Sequence, residues 1–215
     1  MKTILITGPS GSGKSYLANK LANHFTDSVV IPTDSYYKDD IFIKLISFFI
    51  YDIYDRPISI KRKKIIETAN SIYNKDKTTI FYHYDFKTRQ SSKTKKKIEY
   101  KDKNQFLIIE GIFAHRLNLN NDKTINIVCN EKKDICYQRR LIRDKKVRGR
   151  ERREVIKKFS RSWNLYFKNS TRYINSNNVT DINPFNQLSL DKLIIGLKSV
   201  DLNKKNQEEN KILSS

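Results

Sequence analysis

A glycine-rich segment near the amino terminus has the residue types and spacing of a phosphate-binding loop. It reads Gly8-Pro9-Ser10-Gly11-Ser12-Gly13-Lys14-Ser15. In such a P-loop the glycines let backbone N–H groups converge on phosphate oxygens, the lysine reaches the outer phosphates, and the last hydroxyl is offered to Mg²⁺. A glycine-rich turn with an incidental lysine is the alternative, but eight fixed positions rarely match by accident. We therefore expect this segment to bind a nucleoside triphosphate.

A carboxylate suited to the same Mg²⁺ follows an apolar run. Glu110 ends the run 106–109 and precedes Gly111, which puts it at the carboxyl edge of a strand, where open α/β sheets bind ligands. Mg²⁺ prefers oxygen ligands and is commonly held by one or two carboxylates together with phosphates. We predict a metal site formed by Ser15 and Glu110. A surface glutamate at a strand-to-loop turn is the alternative.

A second acid occupies the equivalent place after another short apolar segment. Asp34 follows the segment 28–31 and Pro32. A carboxylate there could accept the proton of a substrate hydroxyl that attacks the γ-phosphate, or orient that hydroxyl. The alternative is an aspartate that caps a helix.

A cluster of arginines lies in the second half of the chain. Arg140 and Arg143 are three residues apart, so a helix would place them on one face, and Arg148 and Arg150 flank a glycine. Guanidinium groups in this arrangement can converge on a triphosphate and spread the charge of a transition state. A solvated basic helix face is the alternative. Because the chain also carries a P-loop, we expect a lid over about 140–152.

Alternating apolar segments predict the elements that must position these residues. The predicted strands cover residues 2–7, 28–31, 78–82, 106–109 and 124–129. The predicted helices cover residues 14–25, 61–73, 131–146, 151–173 and 188–200. Strands that alternate with helices indicate a parallel sheet with helices on both faces. The predicted fold class is therefore α/β, of the P-loop NTPase type.

Three segments stand outside this alternation. Residues 86–103 are polar and basic, and we expect an exposed hairpin or flap that begins near residue 84. The apolar segment 41–53 suits either a core helix or a subunit contact. Residues 201–215 are polar, and we expect a disordered tail there, after a single domain over 1–200.

Composition limits the classes of partner. No stretch reaches the roughly 18 apolar residues of a membrane span, and no signal peptide is recognisable. Two cysteines and three scattered histidines do not form a zinc motif. We therefore expect a cytoplasmic protein without membrane contact, and leave a homo-oligomer open. The formal net charge of +20 raises nucleic acid as a partner, but the lysines are spread along the whole chain, so we do not expect it.

Taken in order, six motifs within residues 2–173 resemble the uridine kinase and phosphoribulokinase family, and its uridine kinase branch most closely. Besides the P-loop they are Asp34-Ser35-Tyr36-Tyr37, Asp55-Arg56-Pro57, Tyr84-Asp85-Phe86, Glu110-Gly111-Ile112, and Arg143-Asp144 with Arg148-Gly149-Arg150. The resemblance implies a P-loop kinase domain that uses ATP and Mg²⁺ to phosphorylate the 5′-hydroxyl of a small nucleoside, uridine or cytidine.

The resemblance also implies roles for individual residues. Asp34 would be the catalytic base, with Lys14 and Arg143 at the reacting phosphate. Ser15 and Glu110 would hold Mg²⁺. The phosphates would be bound by Arg140, Arg143, Arg148 and Arg150. The nucleoside would lie among Tyr37, Asp55 and Tyr84.

Two positions depart from the family's pattern at the acceptor site. Arg89 stands where the family has a histidine that contacts the pyrimidine, and Lys158 stands where uridine kinases have a glutamine. Because a permanent cation suits a phosphate or carboxylate better than a neutral base, an anionic sugar, acid or other small alcohol is the alternative acceptor. Without the resemblance, Asp55 could equally be a turn residue and Tyr84 a packing aromatic. A P-loop nucleic-acid-binding protein without kinase turnover is the third interpretation.

Overall fold

A five-stranded parallel sheet forms the centre of the computed structural model, which describes residues 1–50, 53–101, 105–119 and 124–212, with side chains up to residue 199. The strands are β1 (Lys2–Thr7), β2 (Val29–Pro32), β3 (Thr78–Asp85), β4 (Gln90–Lys97), β5 (Phe106–Glu110), β6 (Thr124–Cys129) and β7 (Val179–Ile182). The helices are α1 (Lys14–His24), α2 (Ile41–Phe49), α3 (Arg62–Tyr73), α4 (Lys133–Arg148), α5 (Arg152–Ile174) and α6 (Gln187–Ile212). The sheet order is β2-β5-β1-β6-β7, with every pair parallel. The predicted α/β class is confirmed.

Strand β5 explains why the central strands read as continuous apolar runs. Phe106 and Ile108 pack with α1 and α6 on one face of the sheet, whereas Leu107 and Ile109 pack with α3 on the other. Burying one such side chain contributes about 1.5–3 kcal/mol. A strand that is covered on both faces therefore has apolar residues at successive positions instead of alternating ones. Helices on both faces were predicted, and the packing confirms them.

The sheet topology brings three loops to one edge. β5 pairs with both β1 and β2, and Glu110 is in register with Ile6 of β1 and Pro32 of β2. Parallel strands end at the same edge of a sheet. The P-loop after β1, the turn after β2 and the glutamate at the end of β5 therefore lie side by side.

The flap is a regular antiparallel hairpin that begins earlier than predicted. β3 and β4 pair along their whole length and form a separate two-stranded sheet. The strand predicted at 78–82 is therefore one half of the hairpin and extends to Asp85. Its polar last residues hid this extension, because they interrupt the β-branched and aromatic pattern of the segment. Part of the flap prediction, residues 102 and 103, lies outside the described residues.

The lid prediction rests on the junction between α4 and α5. Gly149 has a left-handed backbone, with φ 62°, and its N–H donates to the carbonyl oxygen of Asp144. Glycine in this conformation commonly ends a helix. The two helices predicted around this glycine are confirmed, each within two residues at both ends.

Helix α2 exposes most of its apolar surface. Asp40 caps the helix by accepting the N–H of Ile43 at 2.9 Å, and Ile43 is the one buried residue of α2. Phe48 and Phe49 are each 83% exposed. The interpretation of this segment as a core helix is therefore wrong, and the subunit contact stays a prediction. Within the described ranges, no helix combines the length and apolar character that crossing a membrane requires.

The carboxy-terminal region contains an element that the sequence pattern missed and one that is longer than predicted. β7 has only four residues, two of them polar, which is too short for a recognisable pattern. The backbone of α6 continues to Ile212, where composition predicts a disordered tail. Side chains from residue 200 onward lie outside the described residues, and the predicted end of the domain stays a prediction.

Candidate active site

The path of the P-loop backbone requires glycine at two positions. Gly11 and Gly13 have φ angles of 91° and 96°. A Cβ atom on Gly11 would lie 2.2 Å from the carbonyl oxygen of Cys136, and one on Gly13 would lie 2.6 Å from the ring of Phe185. Neither position accommodates a side chain. α1 then begins at Lys14 without a side-chain cap, so the first N–H groups of the helix keep their capacity to bind an anion.

A cation from the P-loop and a cation from the lid both contact the first residues of the P-loop, Pro9 and Ser10. Nζ of Lys14 donates to the carbonyl oxygen of Pro9 at 3.0 Å. Nη2 of Arg143 donates to Oγ of Ser10 at 3.4 Å, so the lid reaches the loop. Ser12 is fully buried within the loop. The positive charge of both elements is therefore concentrated where the sequence predicts the phosphates.

Ser15 and Glu110 meet directly, as a shared metal site requires. Oγ of Ser15 donates to Oε1 of Glu110 at 2.9 Å, and Glu110 is only 6% exposed. Burial raises the pKa of Glu110, Lys14 lowers it, and the nearby Asp34 raises it. A buried carboxylate beside a second one is stabilised by a cation, and hydroxyl and carboxylate oxygens are ligands that Mg²⁺ prefers. The donor set therefore fits Mg²⁺.

No other arrangement of acidic or metal-binding side chains competes with this pair. In the part of the chain that the structure describes, no group of three or more His, Cys, Asp or Glu could hold a metal ion. A site with one carboxylate and one hydroxyl is incomplete by itself, which is typical of Mg²⁺ that arrives with the phosphates of its substrate.

Asp34 lies in the same cleft as the predicted metal ligands. It belongs to a 3-10 turn, Thr33–Tyr36, and Pro32 occupies the position before that turn, so the interpretation of Asp34 as a helix cap is wrong. A cleft of about 360 Å³ contains Ser15, Asp34, Phe86, Glu110, Arg143 and Arg148 in its lining. The predicted base, the predicted metal ligands and two arginines of the lid therefore share one space.

The spacing of the two carboxylates is set by the backbone. A Cβ atom on Gly111 would lie 1.8 Å from Oγ1 of Thr33, so the chain after β5 passes in direct contact with the turn after β2. Pro32 and Glu110 are also paired in the sheet. Asp34 and Glu110 are therefore carried on two backbone segments that cannot move apart without breaking the end of the sheet.

A second, narrower pocket adjoins the cleft and shares Phe86 and Arg148 with it. Its lining consists of Tyr37, Tyr54, Asp55, Tyr84, Phe86, Arg89, Arg148, Arg150 and Lys158. The substrate residues predicted from the sequence are all among these. At about 60 Å³ the pocket is smaller than the roughly 300 Å³ of sites that enclose drug-sized ligands.

Aromatic rings form one wall of this pocket. The ring centre of Tyr37 lies 5.4 Å from that of Tyr84 and 5.8 Å from that of Phe86. Tyr54 packs edge-on against Tyr37 at 5.9 Å. Burial raises the pKa of Tyr37 and of Tyr84, so both phenols stay protonated near neutral pH. The wall therefore offers flat apolar surface together with hydroxyl donors.

Asp55 is the carboxylate of the pocket, and Arg140 supports it from behind. Nη2 of Arg140 lies 3.5 Å from Oδ1 of Asp55, and Arg140 also donates to Ser162. Burial raises the pKa of Asp55, whereas Arg140, Arg150 and Lys158 lower it. Arg140 is 2% exposed and, within the described residues, is absent from the lining of both pockets. Arg140 therefore lies behind Asp55 in this structure, and its predicted role at the phosphates stays a prediction.

The two unexpected cations lie on different elements. Arg89 closes the turn of the hairpin, where its N–H donates to the carbonyl oxygen of Asp85 at 2.8 Å and its backbone is left-handed, with φ 56°. Lys158 projects from α5, and its Nζ donates to Oε1 of Glu154 at 2.6 Å. Glu154 therefore neutralises part of the positive charge on the α5 side of the pocket.

Three residues of the site were not predicted from the sequence. Tyr54 and Phe86 line the second, narrower pocket. Asp144 lies at the centre of the lid arginines. The sequence position of each residue pointed to the site, because Tyr54 precedes Asp55 and the other two lie within the quoted motifs. Their contacts are long-range, however, and only the fold shows them.

A P-loop joined at one sheet edge to two carboxylates and an arginine-rich lid defines a P-loop kinase, a phosphotransferase that acts on an alcohol group. The chain belongs to the Phosphoribulokinase / Uridine kinase family, whose sequence profile matches residues 3–183. A uridine kinase of Clostridium novyi (strain NT) is 34% identical over 164 residues, which cover 74% of this chain and 76% of that relative. A uridine kinase of Geobacillus kaustophilus (strain HTA426) is 32% identical over 160 residues, 72% of each chain.

Solved structures share the same fold. A possible uridine kinase from Bacillus stearothermophilus matches with a TM-score of 0.52 at 16% identity, over 84% of this chain and 89% of that one. A gluconokinase from Sinorhizobium meliloti 1021 matches with a TM-score of 0.51 at 10% identity, over 96% and 97%. At such low identities these matches speak for the fold of a P-loop kinase and for nothing finer.

Proposed function

We propose that this protein transfers the γ-phosphate of ATP to the 5′-hydroxyl of uridine or cytidine, as pyrimidine salvage requires. The observation that carries the proposal is that the cleft with Ser15, Asp34 and Glu110 adjoins the pocket with Asp55 and shares Phe86 and Arg148 with it. A hydroxyl held in the second pocket would therefore come to the predicted base. The relatives that are named uridine kinases support a pyrimidine nucleoside as the acceptor.

Catalysis in this proposal consists of positioning and charge stabilisation. The P-loop N–H groups and Lys14 hold the β- and γ-phosphates, and Arg143 reaches the same phosphates from the lid. Ser15 and Glu110 would hold Mg²⁺, which when bound screens the phosphate charge. Asp34 accepts the proton of the attacking 5′-hydroxyl. The bond from O5′ to the γ-phosphorus forms while the bond from that phosphorus to the bridging oxygen of ADP breaks, and the proton leaves from Asp34 to water.

The acceptor pocket suits a nucleoside in two respects. A carboxylate such as Asp55 accepts hydrogen bonds from the two neighbouring ribose hydroxyls, and Arg140 fixes its orientation. The rings of Tyr37 and Tyr84 offer apolar surface to a planar base. Together these residues would direct the remaining hydroxyl, at C5′, toward Asp34.

The proposal is tested with an assay that follows ADP release over uridine, cytidine, adenosine, glycerate and sugar phosphates. We expect turnover with the two pyrimidine nucleosides. Asp34→Asn should lower kcat at least ~100-fold, the usual contribution of a general base, and leave the affinity for ATP within about threefold, since the P-loop does not need that carboxylate. Full turnover by Asp34→Asn would refute its role. Salt-dependent polynucleotide binding without ATP consumption on any acceptor would favour the nucleic-acid interpretation.

A second candidate acceptor is an anionic small alcohol. Arg89, Arg150 and Lys158 line the pocket together with Asp55, the one carboxylate among its described lining residues. This excess of positive charge would favour a phosphate or carboxylate on the acceptor. In the same assay, turnover confined to glycerate or a sugar phosphate would select this candidate over a nucleoside.

A further inference from the structure

Asp144 is a fully buried carboxylate surrounded by the arginines of the lid. It is 0% exposed, and the residues around it are Arg140, Arg143, Arg148 and Arg150. A buried charge persists only where it is paired and hydrogen-bonded, because desolvation otherwise costs several kcal/mol. The four arginines therefore provide the pairing that a buried Asp144 requires.

Both oxygens of the carboxylate are engaged by different arginines. Oδ1 accepts from Nε and Nη2 of Arg143 at 2.9 and 2.8 Å, and Nη1 of Arg148 lies 3.6 Å away. Oδ2 accepts from Nη1 of Arg150 at 3.0 Å, and Nε of Arg140 lies 3.6 Å away. A single side chain thus hydrogen-bonds two guanidinium groups and lies within ion-pair distance of two more.

The main chain of the same residue fixes the turn of the lid. The carbonyl oxygen of Asp144 accepts the N–H of Gly149 at the end of α4 and the N–H of Arg150 at 3.1 Å. Asp144 therefore holds Arg150 at both the backbone and the side chain, and its carbonyl oxygen fixes the turn that follows Arg148.

The charges do not cancel. One carboxylate faces four permanent cations, and this excess holds the pKa of Asp144 below its usual range although its burial opposes the shift. Without the carboxylate the guanidinium groups would repel one another, since like charges in a low-dielectric surrounding are poorly screened. With it, a net positive charge stays in the lid and is available to phosphate oxygens.

The arginines held by Asp144 lie in both pockets. Arg143 lines the cleft with Ser15 and Glu110, Arg150 lines the acceptor pocket, and Arg148 lines both. We propose that Asp144 is a positioning residue for phosphoryl transfer, which aligns the lid arginines with the phosphates and ties the donor side of the site to the acceptor side. The proposal rests on the function proposed above, because it presumes that the cleft binds a nucleotide.

The first test compares Asp144→Asn with wild-type protein and with Asp134→Asn, a charge-matched control at an exposed position of α4. Binding of ATP is measured by titration without any acceptor, so the result does not depend on which alcohol the enzyme uses. We expect Asp144→Asn to weaken ATP binding by roughly tenfold, the effect of losing about 1.4 kcal/mol, and to lower kcat further. Unchanged ATP binding and kcat in a folded Asp144→Asn protein would overturn the proposal.

The second test separates positioning from simple stabilisation of the fold. If Asp144 acts through Arg143, the losses in kcat from Arg143→Ala and Asp144→Asn should not multiply in the double variant, because both remove the same contact. Fully multiplicative losses would overturn the proposal. If Asp144→Asn does not fold, Asp144→Glu replaces it, because this variant keeps the charge and displaces it by one methylene group. A normal kcat in Asp144→Glu would contradict the positioning role. Failure of wild-type protein to phosphorylate nucleosides would refute the proposed function and leave the ATP-binding result intact.

Discussion

The guanidinium carbon of Arg148 lies 3.8 Å from the ring centre of Phe86, so the lid and the hairpin meet at the boundary between the two pockets. Both residues line the donor cleft as well as the acceptor pocket. The stacked pair therefore separates the two pockets in this structure.

Replacing Phe86 by alanine should weaken acceptor binding more than ATP binding. The ring contributes both pocket surface and a cation–π contact, which together are worth about 1–2 kcal/mol. We expect the KM for the acceptor to rise roughly tenfold and the KM for ATP to rise less, in steady-state assays with the other substrate saturating. Phe49→Ala, at an 83% exposed position of α2, is the control and should change neither constant. A larger effect on ATP than on the acceptor would contradict the assignment of Phe86.

Glu110→Gln should change the dependence of the rate on Mg²⁺. The glutamine keeps the shape and can still accept from Ser15, but it loses the charge that attracts the cation. We expect the Mg²⁺ concentration that gives half the maximal rate to rise at least tenfold, a loss of about 1.4 kcal/mol, when Mg²⁺ is titrated at fixed ATP. An unchanged titration curve would remove Glu110 from the metal site.

The same variant should change how stability responds to pH. Burial raises the pKa of Glu110 in the folded protein, so its ionised form disfavours folding, and the contribution of Glu110 to wild-type stability declines as pH rises above the unfolded pKa of about 4.3. Glu110→Gln removes this decline. Urea unfolding is measured without nucleotide at several pH values from 4 to 7. The free energy of unfolding of the variant should increase relative to that of wild type as pH rises. Glu67→Gln, at an exposed position paired with Lys64, is the control. Its free energy of unfolding should not increase relative to wild type as pH rises.

Two substitutions of Arg89 should differ in stability but have the same effect on acceptor binding. Its backbone has φ 56°, where a residue with a Cβ atom costs about 1–2 kcal/mol and glycine does not. Arg89→Gly should therefore melt at a higher temperature than Arg89→Ala, while both remove the same guanidinium from the pocket. With uridine as acceptor we expect both variants to keep kcat/KM within about threefold of wild type. A large, equal loss with an anionic acceptor would instead favour the second candidate function.

Gly11→Ala should abolish nucleotide binding. The new Cβ atom would lie 2.2 Å from a backbone oxygen of α4 at a φ of 91°, so the P-loop or the helix must move. Gly196→Ala is the matched control, because a Cβ atom there meets nothing within 4 Å and alanine favours a helix by about 0.8–1.0 kcal/mol. Thermal unfolding is measured with and without ATP for both variants. ATP should raise the melting temperature of Gly196→Ala but not that of Gly11→Ala. Stabilisation of Gly11→Ala by ATP equal to that of wild type would contradict the described loop geometry.

The parts of the site that could be predicted from the sequence are local in the chain. The P-loop follows β1, Asp34 lies two residues after β2 and Glu110 ends β5. Because parallel strands end at one edge, an apolar run followed by an acid was enough to place both carboxylates there. The positions of Tyr54 and Asp144 could not be predicted in this way. Their roles depend on which rings and guanidinium groups the fold brings against them from distant segments.

Two segments show what sequence patterns leave open. Arg140 reads as part of a continuous arginine cluster, yet the fold buries it between Asp55 and Asp144, and the contact with Asp55 comes from a distant segment of the chain. The strand at 78–82 pairs with the polar segment after it instead of joining the sheet. Sequence periodicity reports which face of an element is apolar, but not which partner covers that face.

The hairpin carries Tyr84, Phe86 and Arg89 on one contiguous stretch that pairs with no strand of the central sheet. The donor side, in contrast, is built into the sheet edge, where Gly111 and Thr33 are in direct contact. Changes to the hairpin would therefore alter one wall of the second pocket, and at Phe86 also the rim of the cleft, while the sheet edge that carries Glu110 stays as it is.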